Sequence, residues 1–309
     1  MHQVIRLAKE LIPTTTIARI VGISASNVQR VLNKNVHLTY RVKHLPPNLC
    51  FDEIRTCGHR MSFDCCDAES HQLITTLPTR LSRDIIDYFE ARYSLQERRT
   101  VQTVTIDMNA QYVQFIHRLF PNAELIIDRF HIVQLAARAL DQERLRLLHQ
   151  EIDQHSRRYR VLKSQWRSFH LNEDELERAK SRYLRGLNEW IVPQAAVNLG
   201  LDHAPRFRAA YEIYQTIMTA LKNKSGAKLA HLLKIYKNCG NAMDTTIAKL
   251  RKNKNAVLNS CRYSYSNGLL EVLNRKIKTL KRNCFGFRNQ YNMFIRIRLI
   301  HEEKTHSPE

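Results

Sequence analysis

The chain has 309 residues, 43% of them hydrophobic and 25% charged, so it can bury a core and is not disordered by composition. Lysine and arginine number 49 against 29 aspartates and glutamates, and the net charge of +20 indicates a polyanionic partner, usually nucleic acid. Only 8 glycines are present, and neither G-x-G-x-x-G nor G-x-x-x-x-G-K-[ST] occurs, which argues against a glycine-rich nucleotide-binding loop.

Neither a membrane anchor nor a disulfide framework is predicted. No apolar run reaches the roughly 20 residues that a membrane span needs. No apolar stretch follows the basic start in the manner of a signal peptide, so we expect a cytoplasmic protein with no membrane partner. The seven cysteines are scattered and contain no C-x-x-C pair, which argues against both disulfides and a zinc module.

Residues 1–35 predict a helix-turn-helix DNA-binding domain. Gly22 stands where the tight turn needs a positive φ, and Ser24 can cap the second helix. An ordinary helical hairpin is the alternative, but the basic composition favours DNA binding. The side chains that would face outward into a major groove include Ser26, Asn27, Gln29 and Arg30.

Residues 36–48, which contain Pro46-Pro47, predict a linker. Beyond it, the apolar pattern follows the order strand, strand, strand, helix, strand, helix, strand, which predicts an α/β fold with a mixed sheet and covering helices. The predicted strands are 49–52, 60–67, 71–77, 101–107 and 123–128, and the predicted helices are 82–98 and 110–120.

From Ile132 onward the sequence predicts helices and no further strand, because apolar residues recur with a period of about 3.6 residues. The predicted helices are 132–160, 173–190, 205–221, 227–237, 243–252, 267–282 and 289–301.

Three acidic residues stand at positions that suit chemistry. Asp52 and Asp107 are predicted to end the first and fourth strands, and Glu271 lies in a helix within an otherwise basic stretch. Strand ends on one edge of a sheet bring distant carboxylates together, and hard oxygen ligands suit Mg²⁺. The alternatives are a solvated strand end for Asp52, a helix N-cap for Asp107, and for Glu271 an ion pair with Arg275.

Several motifs resemble the DDE transposase domain of the "ISL-three" family of bacterial insertion sequences. They cover most of residues 49–301 and occur in the same order as in the family. The motifs are the strand at 49–53, D-M at 107–108, F-P-N-A at 120–123, D-R-F-H at 128–131, N-G-L-L-E-V-L-N-R-K-I-K at 267–278 and F-G-F-R at 285–288.

This resemblance implies an RNase H-like catalytic core interrupted by a long helical insertion. It implies that Asp52, Asp107 and Glu271 form a catalytic triad that holds two Mg²⁺ ions, with Mn²⁺ as a substitute. The implied segments are 49–134 for the first part of the core, 135–262 for the insertion, 263–303 for the C-terminal part and 304–309 for a tail.

The implied reaction cuts DNA at the ends of the insertion sequence and joins the freed 3′-hydroxyl to a target. The implied partners are double-stranded DNA, as transposon ends and target, and further copies of this chain. Family members commonly carry a cysteine-rich zinc-binding segment before the helix-turn-helix, which we expect this chain to lack. Two alternatives remain: an inactive remnant or regulator that only binds DNA, and a simple RNase H-like nuclease.

Further side chains could assist the reaction or bind DNA. The possible accessory residues are Asp128, His131 and Asn274; a structural role for Asp128, paired with Arg129, and for His131, as a helix cap, is the alternative. The aromatic residues near the basic stretch could stack on bases, although packing in the core is favoured for Tyr263, Tyr265, Phe285 and Phe287. The predicted phosphate contacts are Lys276, Lys278, Lys281, Arg282 and Arg288.

Overall fold

A computed structural model of the chain describes residues 1–38, 42–108, 111–266 and 268–302, without the side chains of His59, Leu269, Glu271, His301 and Glu302. The predicted tail, residues 304–309, lies outside the described residues. The chain packs as two compact units, the first formed by Met1–Ile126 with the chain from Tyr265 onward and the second by Ile127–Ser264. Within the described ranges, every helix is too short or too polar to cross a membrane.

The first unit begins with three short helices, in the segment for which the sequence predicts a helix-turn-helix. They are α1 (His2–Lys9), α2 (Thr14–Val21) and α3 (Ala25–Asn35). Gly22 ends α2 with φ +72°, a left-handed conformation that glycine adopts readily. The Ser24 hydroxyl oxygen accepts the Asn27 backbone N–H at 3.1 Å and so caps α3.

The sheet confirms the predicted order of elements. Its strands are β1 (Asn48–Arg55), β2 (Met61–Asp67), β3 (Leu73–Leu77), β4 (Thr103–Ile106) and β5 (Glu124–Ile127). They lie in the order β3-β2-β1-β4-β5, with β1 antiparallel to β2 and parallel to β4. Three helices accompany the strands, α4 (Ser82–Arg92), α5 (Leu95–Arg98) and α6 (Val113–Leu119). The predicted helix 82–98 is interrupted because the Ser94 hydroxyl caps a new helix by accepting the Glu97 N–H.

The second unit is mainly helical. Its helices are α7 (Arg129–Gln150), α8 (Arg157–Ser164), α9 (Trp166–His170), α10 (Pro193–Leu201), α11 (Pro205–Lys222), α12 (Gly226–Ile235), α13 (Met243–Lys252) and α14 (Lys254–Arg262). A small hairpin joins β6 (Arg182–Leu184) and β7 (Glu189–Ile191). This mixed sheet followed by a helical insertion is an RNase H-like fold.

Two of the helices predicted for this unit are wrong. The predicted helix 132–160 is two helices, because the Asp153 carboxylate accepts the His155 N–H and the Ser156 hydroxyl caps α8.

The predicted helix 173–190, and with it the expectation of no strand beyond Ile132, is also wrong, since the β6–β7 hairpin lies there. Its turn needs Gly186, where a Cβ would clash with the Ser164 side chain, and Asn188, whose φ is +58°.

A buried carboxylate links several parts of the second unit. The Glu143 side chain on α7 is 3% exposed. It accepts two hydrogen bonds from Arg206, at 2.8 and 3.2 Å, one from Arg146 and one from the Ala242 backbone N–H. Burial raises the pKa of the Glu143 carboxyl, but these donors outweigh it and the net shift is downward.

The first unit closes with α15 (Gly268–Asn283) and α16 (Gln290–Glu302). Residues of α16 such as Met293 and Ile297 belong to the core that includes Cys50 and Ile54 of β1. Ile295 and Leu299 of the same helix instead belong to the core of α1–α3. A helix that is apolar on two sides can be buried on both, and α16 is therefore shared between the sheet and the N-terminal helices.

A buried arginine strengthens this junction. Arg296 on α16 is 1% exposed, and its guanidinium donates to the carbonyls of Ala8 at 3.0 Å and Ile12 at 2.8 Å. These carbonyls lie at and just beyond the C-terminal end of α1, where helices leave carbonyl groups without intrahelical partners. Burial lowers the pKa of Arg296.

Candidate active site

Asp52 is half-buried on the sheet and held by two hydrogen bonds. Its Oδ1 accepts the Glu53 backbone N–H at 2.7 Å, and its Oδ2 accepts the Asn274 side-chain amide at 2.7 Å. The prediction that Asp52 ends its strand is wrong, because β1 continues to Arg55. The alternative of a solvated strand end is also wrong, since α15 contacts this carboxylate through Asn274.

Asp107 directly follows β4 and is also half-buried. The parallel register pairs Asn48 with Thr103 and Cys50 with Thr105, and the Thr103 hydroxyl donates to the Asn48 side chain at 2.8 Å. The paired residues end at Cys50 and Thr105, and two further residues at the same offset lead to Asp52 and Asp107. Neighbouring strands lie about 5 Å apart, so we expect these two acids to lie close together. Asp107 does not cap α6, whose N-cap is Tyr112.

Tyr112 lies near several acids at this part of the sheet. The Tyr112 hydroxyl donates to Glu53 Oε1 at 3.3 Å, and Arg80 contacts the other oxygen of that carboxylate at 2.6 Å. Burial raises the pKa of Tyr112 strongly, and the negative charges of Glu53, Asp107 and Asp52 raise it further. Because all three acids raise the pKa of Tyr112, we infer that their carboxylates lie near its hydroxyl and near one another.

A fourth acid, which sequence analysis did not single out, faces Asp52. Asp64 on β2 pairs with Asp52 in the antiparallel register and is 0% exposed. Its Oδ1 accepts the Thr76 hydroxyl at 2.8 Å, while Oδ2 has no hydrogen-bond partner among the described residues. Burial, assisted by the nearby Asp52 charge, raises the pKa of Asp64 to about 7, although the hydrogen bond from Thr76 opposes the shift. The signal that could have identified Asp64 in the sequence is the presence of an acid within the apolar run of β2.

Glu271 lies in the first turns of α15, three residues before Asn274. Positions three apart share a helix face, so this position is one turn from the contact that Asn274 makes with Asp52. The side chain of Glu271, and with it the suggested pairing with Arg275, lies outside the described residues. Among the side chains that are described, no group of three or more histidines, cysteines, aspartates or glutamates is arranged to hold a metal ion.

Asp128 and His131 belong to the second unit. Asp128 is buried and occupies the N-cap position of α7 without a side-chain cap bond, although its carbonyl accepts the His131 N–H at 3.1 Å. His131 is the third residue of α7, half-buried and in edge contact with the Phe130 ring. The suggested cap by His131 is wrong because the residue lies inside the helix.

The predicted phosphate-binding residues differ in their surroundings. The Lys281 ammonium donates to the carbonyls of Arg55 and Thr56 at 3.1 Å, so it ties α15 to the end of β1. Lys278 is exposed and lines a depression with Glu53 and Asn274, whereas Lys276 is half-buried. Arg282 and Arg288 are exposed.

The helix-turn-helix presents a polar face. Ser26, Asn27 and Arg30 on α3 are exposed, as predicted, while Val28 is buried. Gln29 is half-buried, and its amide donates to the Asn33 side chain at 2.8 Å. DNA binding through this face stays a prediction.

An RNase H-like sheet with carboxylates level on two neighbouring strands, followed by a helical insertion, is the architecture of a DDE transposase. A family model described as "Transposase" matches residues 49–297 of the chain. The chain therefore belongs to the ISL-three family of insertion-sequence transposases.

Two relatives are similar over parts of the chain. The transposase for insertion sequence element IS1001 of Bordetella parapertussis is 26% identical over 243 residues, which are 78% of this chain and 57% of that protein. A protein of Lactococcus lactis subsp. lactis named "ATP-dependent protease" is 36% identical over 101 residues, which are 33% of each chain. The chain thus spans a third to just over half of the length of these relatives.

Proposed function

We propose that this transposase cuts DNA at the ends of an insertion sequence and joins the freed 3′-hydroxyl to target DNA. In this proposal Asp52, Asp107 and Glu271 hold two Mg²⁺ ions, and Mn²⁺ can substitute. The observation that supports the proposal is the parallel register of β1 and β4, which runs toward Asp52 on one strand and Asp107 just after the other, together with the bond from Asn274 of α15, the helix that contains Glu271, to Asp52.

The donor set fits such an ion. Carboxylate oxygens are the ligands that Mg²⁺ prefers, and Asp52 and Asp107 are both half-buried rather than fully solvated. Two bound ions would stabilise the attacking and leaving oxygens of a phosphoryl transfer.

The chain's own residues position the reaction. Asn274 and the Glu53 N–H fix both oxygens of Asp52, which leaves that carboxylate little freedom to rotate. Water and then the 3′-hydroxyl serve as nucleophiles, so no protein nucleophile is required. The exposed face of α3 binds the element ends, and the basic α15 contacts phosphates along the same DNA.

Paired ends call for more than one copy of the chain, so we include a homo-oligomer in the proposal. ATP-dependent proteolysis is not carried over from the Lactococcus relative, because the sequence has no G-x-x-x-x-G-K-[ST] loop. A DNA-binding remnant or regulator is the competing outcome, since the helix-turn-helix would serve it equally well.

The test incubates the purified chain with supercoiled DNA that carries the terminal inverted repeats, in Mg²⁺, Mn²⁺ or EDTA. We expect metal-dependent nicks at the repeats and joined products, all lost in Asp52→Asn, Asp107→Asn and Glu271→Gln. These variants should still bind the repeats.

The matched control is Asp87→Asn, an exposed acid on α4 that should cut normally. A variant of the triad that still cuts would remove that residue from the site. Binding without any nick would favour the regulator, and nicks without preference for the repeats would favour a simple nuclease.

A further inference from the structure

Helix α15 ends in a turn that places an aromatic residue in a left-handed conformation. The Gly286 N–H donates to the Lys281 carbonyl at 2.7 Å, and the Phe285 N–H donates to the Arg282 carbonyl at 3.2 Å. This pair of bonds is the Schellman helix end, whose left-handed position is usually taken by glycine. Here that position is Phe285, with φ +52°.

The Phe285 ring gains nothing from the fold in return for this conformation. It is 98% exposed, whereas Phe287, two residues later, packs against the core of the sheet and α15. A left-handed φ costs free energy at a bulky residue, and an exposed ring contributes no burial. The prediction that Phe285 packs in the core is therefore wrong, and the ring is open to contact with a partner outside the chain.

The positive charge around the Phe285 ring favours a nucleic acid as its partner. From Val272 to His301 the sequence has eight lysines and arginines and no acid. Arg282 and Arg288, which flank the turn, are both exposed. Cations that bind phosphates next to an exposed aromatic face are the arrangement on which nucleic-acid bases stack.

The distance of Phe285 from the candidate active site can be estimated along α15. Asn274 of α15 bonds Asp52, and Phe285 follows eleven residues later, a rise of about 16 Å along a helix. A DNA strand advances about 3.4 Å per nucleotide, so a strand lying along α15 passes Phe285 about five nucleotides from the site.

We propose that Phe285 stacks on a nucleobase that has left its pair in the transposon-end DNA, about five nucleotides from the cleaved phosphate. This inference rests on the proposed function, because it requires the end DNA to lie along α15. The turn presents the ring, and Arg282 and Arg288 hold the phosphates beside it.

The test uses duplexes of the terminal inverted repeat with one 2-aminopurine opposite an abasic site, moved stepwise along the strand, and the fully paired duplex. We expect the unmutated chain to prefer the unpaired probe and to quench its fluorescence near the fifth nucleotide. Phe285→Ala should lose about 5-fold to 150-fold in affinity for that probe, and less for the paired duplex, where the cost of unpairing the base offsets part of the stacking. Phe285→Trp should retain both effects.

Two controls keep a folding defect apart from lost stacking. Phe285→Asn suits the left-handed turn and should not lower the melting temperature, yet should abolish quenching. Trp190→Ala removes a ring that is 72% exposed on the second unit and should leave quenching intact.

Equal binding and quenching by the unmutated chain and Phe285→Ala would overturn this inference and leave the proposed function standing. Failure of the unmutated chain to bind even the fully paired repeat would overturn both this inference and the proposed function.

Discussion

The buried acid Asp64 gives the sharpest stability prediction. Its pKa is raised from 3.8 to about 7, mainly by burial, so the folded chain keeps a proton that the unfolded chain has already lost. The free energy of unfolding therefore falls as the pH rises from the unfolded pKa through the folded one, and the loss levels off above it. Between about pH 5 and pH 8 this single group should cost about 2.5 kcal/mol of stability.

Replacing Asp64 with asparagine removes this titration. Asparagine keeps the shape and can still accept the Thr76 hydroxyl, but its amide group takes the place of Oδ2, which has no described partner, and this costs about 1–3 kcal/mol at every pH. We therefore predict that Asp64→Asn is less stable than, or equal to, the unmutated chain in acid and gains on it by about 2.5 kcal/mol toward pH 8.

Urea unfolding at a series of pH values in EDTA measures this difference, with Asp87→Asn as an exposed control whose pH profile should follow the unmutated chain. The predicted quantity is the change with pH of the difference in free energy of unfolding between Asp64→Asn and the unmutated chain. The cost of the amide is the same at every pH and does not affect this change. Parallel profiles for Asp64→Asn and the unmutated chain would refute a raised pKa at this position.

Three further substitutions test other contacts. Asn274→Ala should weaken apparent Mg²⁺ affinity or activity about 10-fold to 100-fold without changing affinity for the repeats, because it frees one oxygen of Asp52; an unchanged metal titration would contradict this. Arg296→Ala should lower the free energy of unfolding by about 2–4 kcal/mol, since two carbonyls lose a charged donor, and denaturation curves would show it. Glu143→Ala should cost about 1–3 kcal/mol because the Ala242 N–H and two partly exposed arginines lose a buried acceptor; a melting temperature within error of the unmutated chain would refute it.

Patterns with a clear period were sufficient to predict the sheet and most helices. The strands before Asp52 and Asp107 are short apolar runs that are almost wholly buried, and α11 repeats apolar residues along its buried face. The wrongly predicted helices are explained by local turn chemistry. Hydrogen bonds of the Asp153 and Ser156 side chains end one predicted helix, and a hairpin turn at Gly186 lies where another was predicted. Periodicity does not report hydrogen bonds from side chains to the backbone, which decide where elements end.

The candidate site could be predicted only in part, for a related reason. Asp52 and Asp107 could be singled out as acids in or just after neighbouring buried strands, although β1 does not end at Asp52 as predicted, and resemblance added Glu271. The contact between Asn274 and Asp52 joins residues far apart in sequence, and the pairing of Asp64 with Asp52 depends on strand register. Register and long-range pairing are fixed by tertiary packing, which no local pattern contains.

The shared helix α16 gives the first unit a property that its sequence did not predict. The segment 36–48 was predicted to be a linker, and α16 packs on both sides of it: Ile295 and Leu299 complete the core of the N-terminal helices while Met293 and Ile297 complete that of the sheet. Separating the two would expose both sides of an apolar helix and leave Arg296 without its carbonyl partners, which opposes motion between them. The exposed face of α3 and the strand that contains Asp52 are therefore held at a fixed spacing within one packed unit.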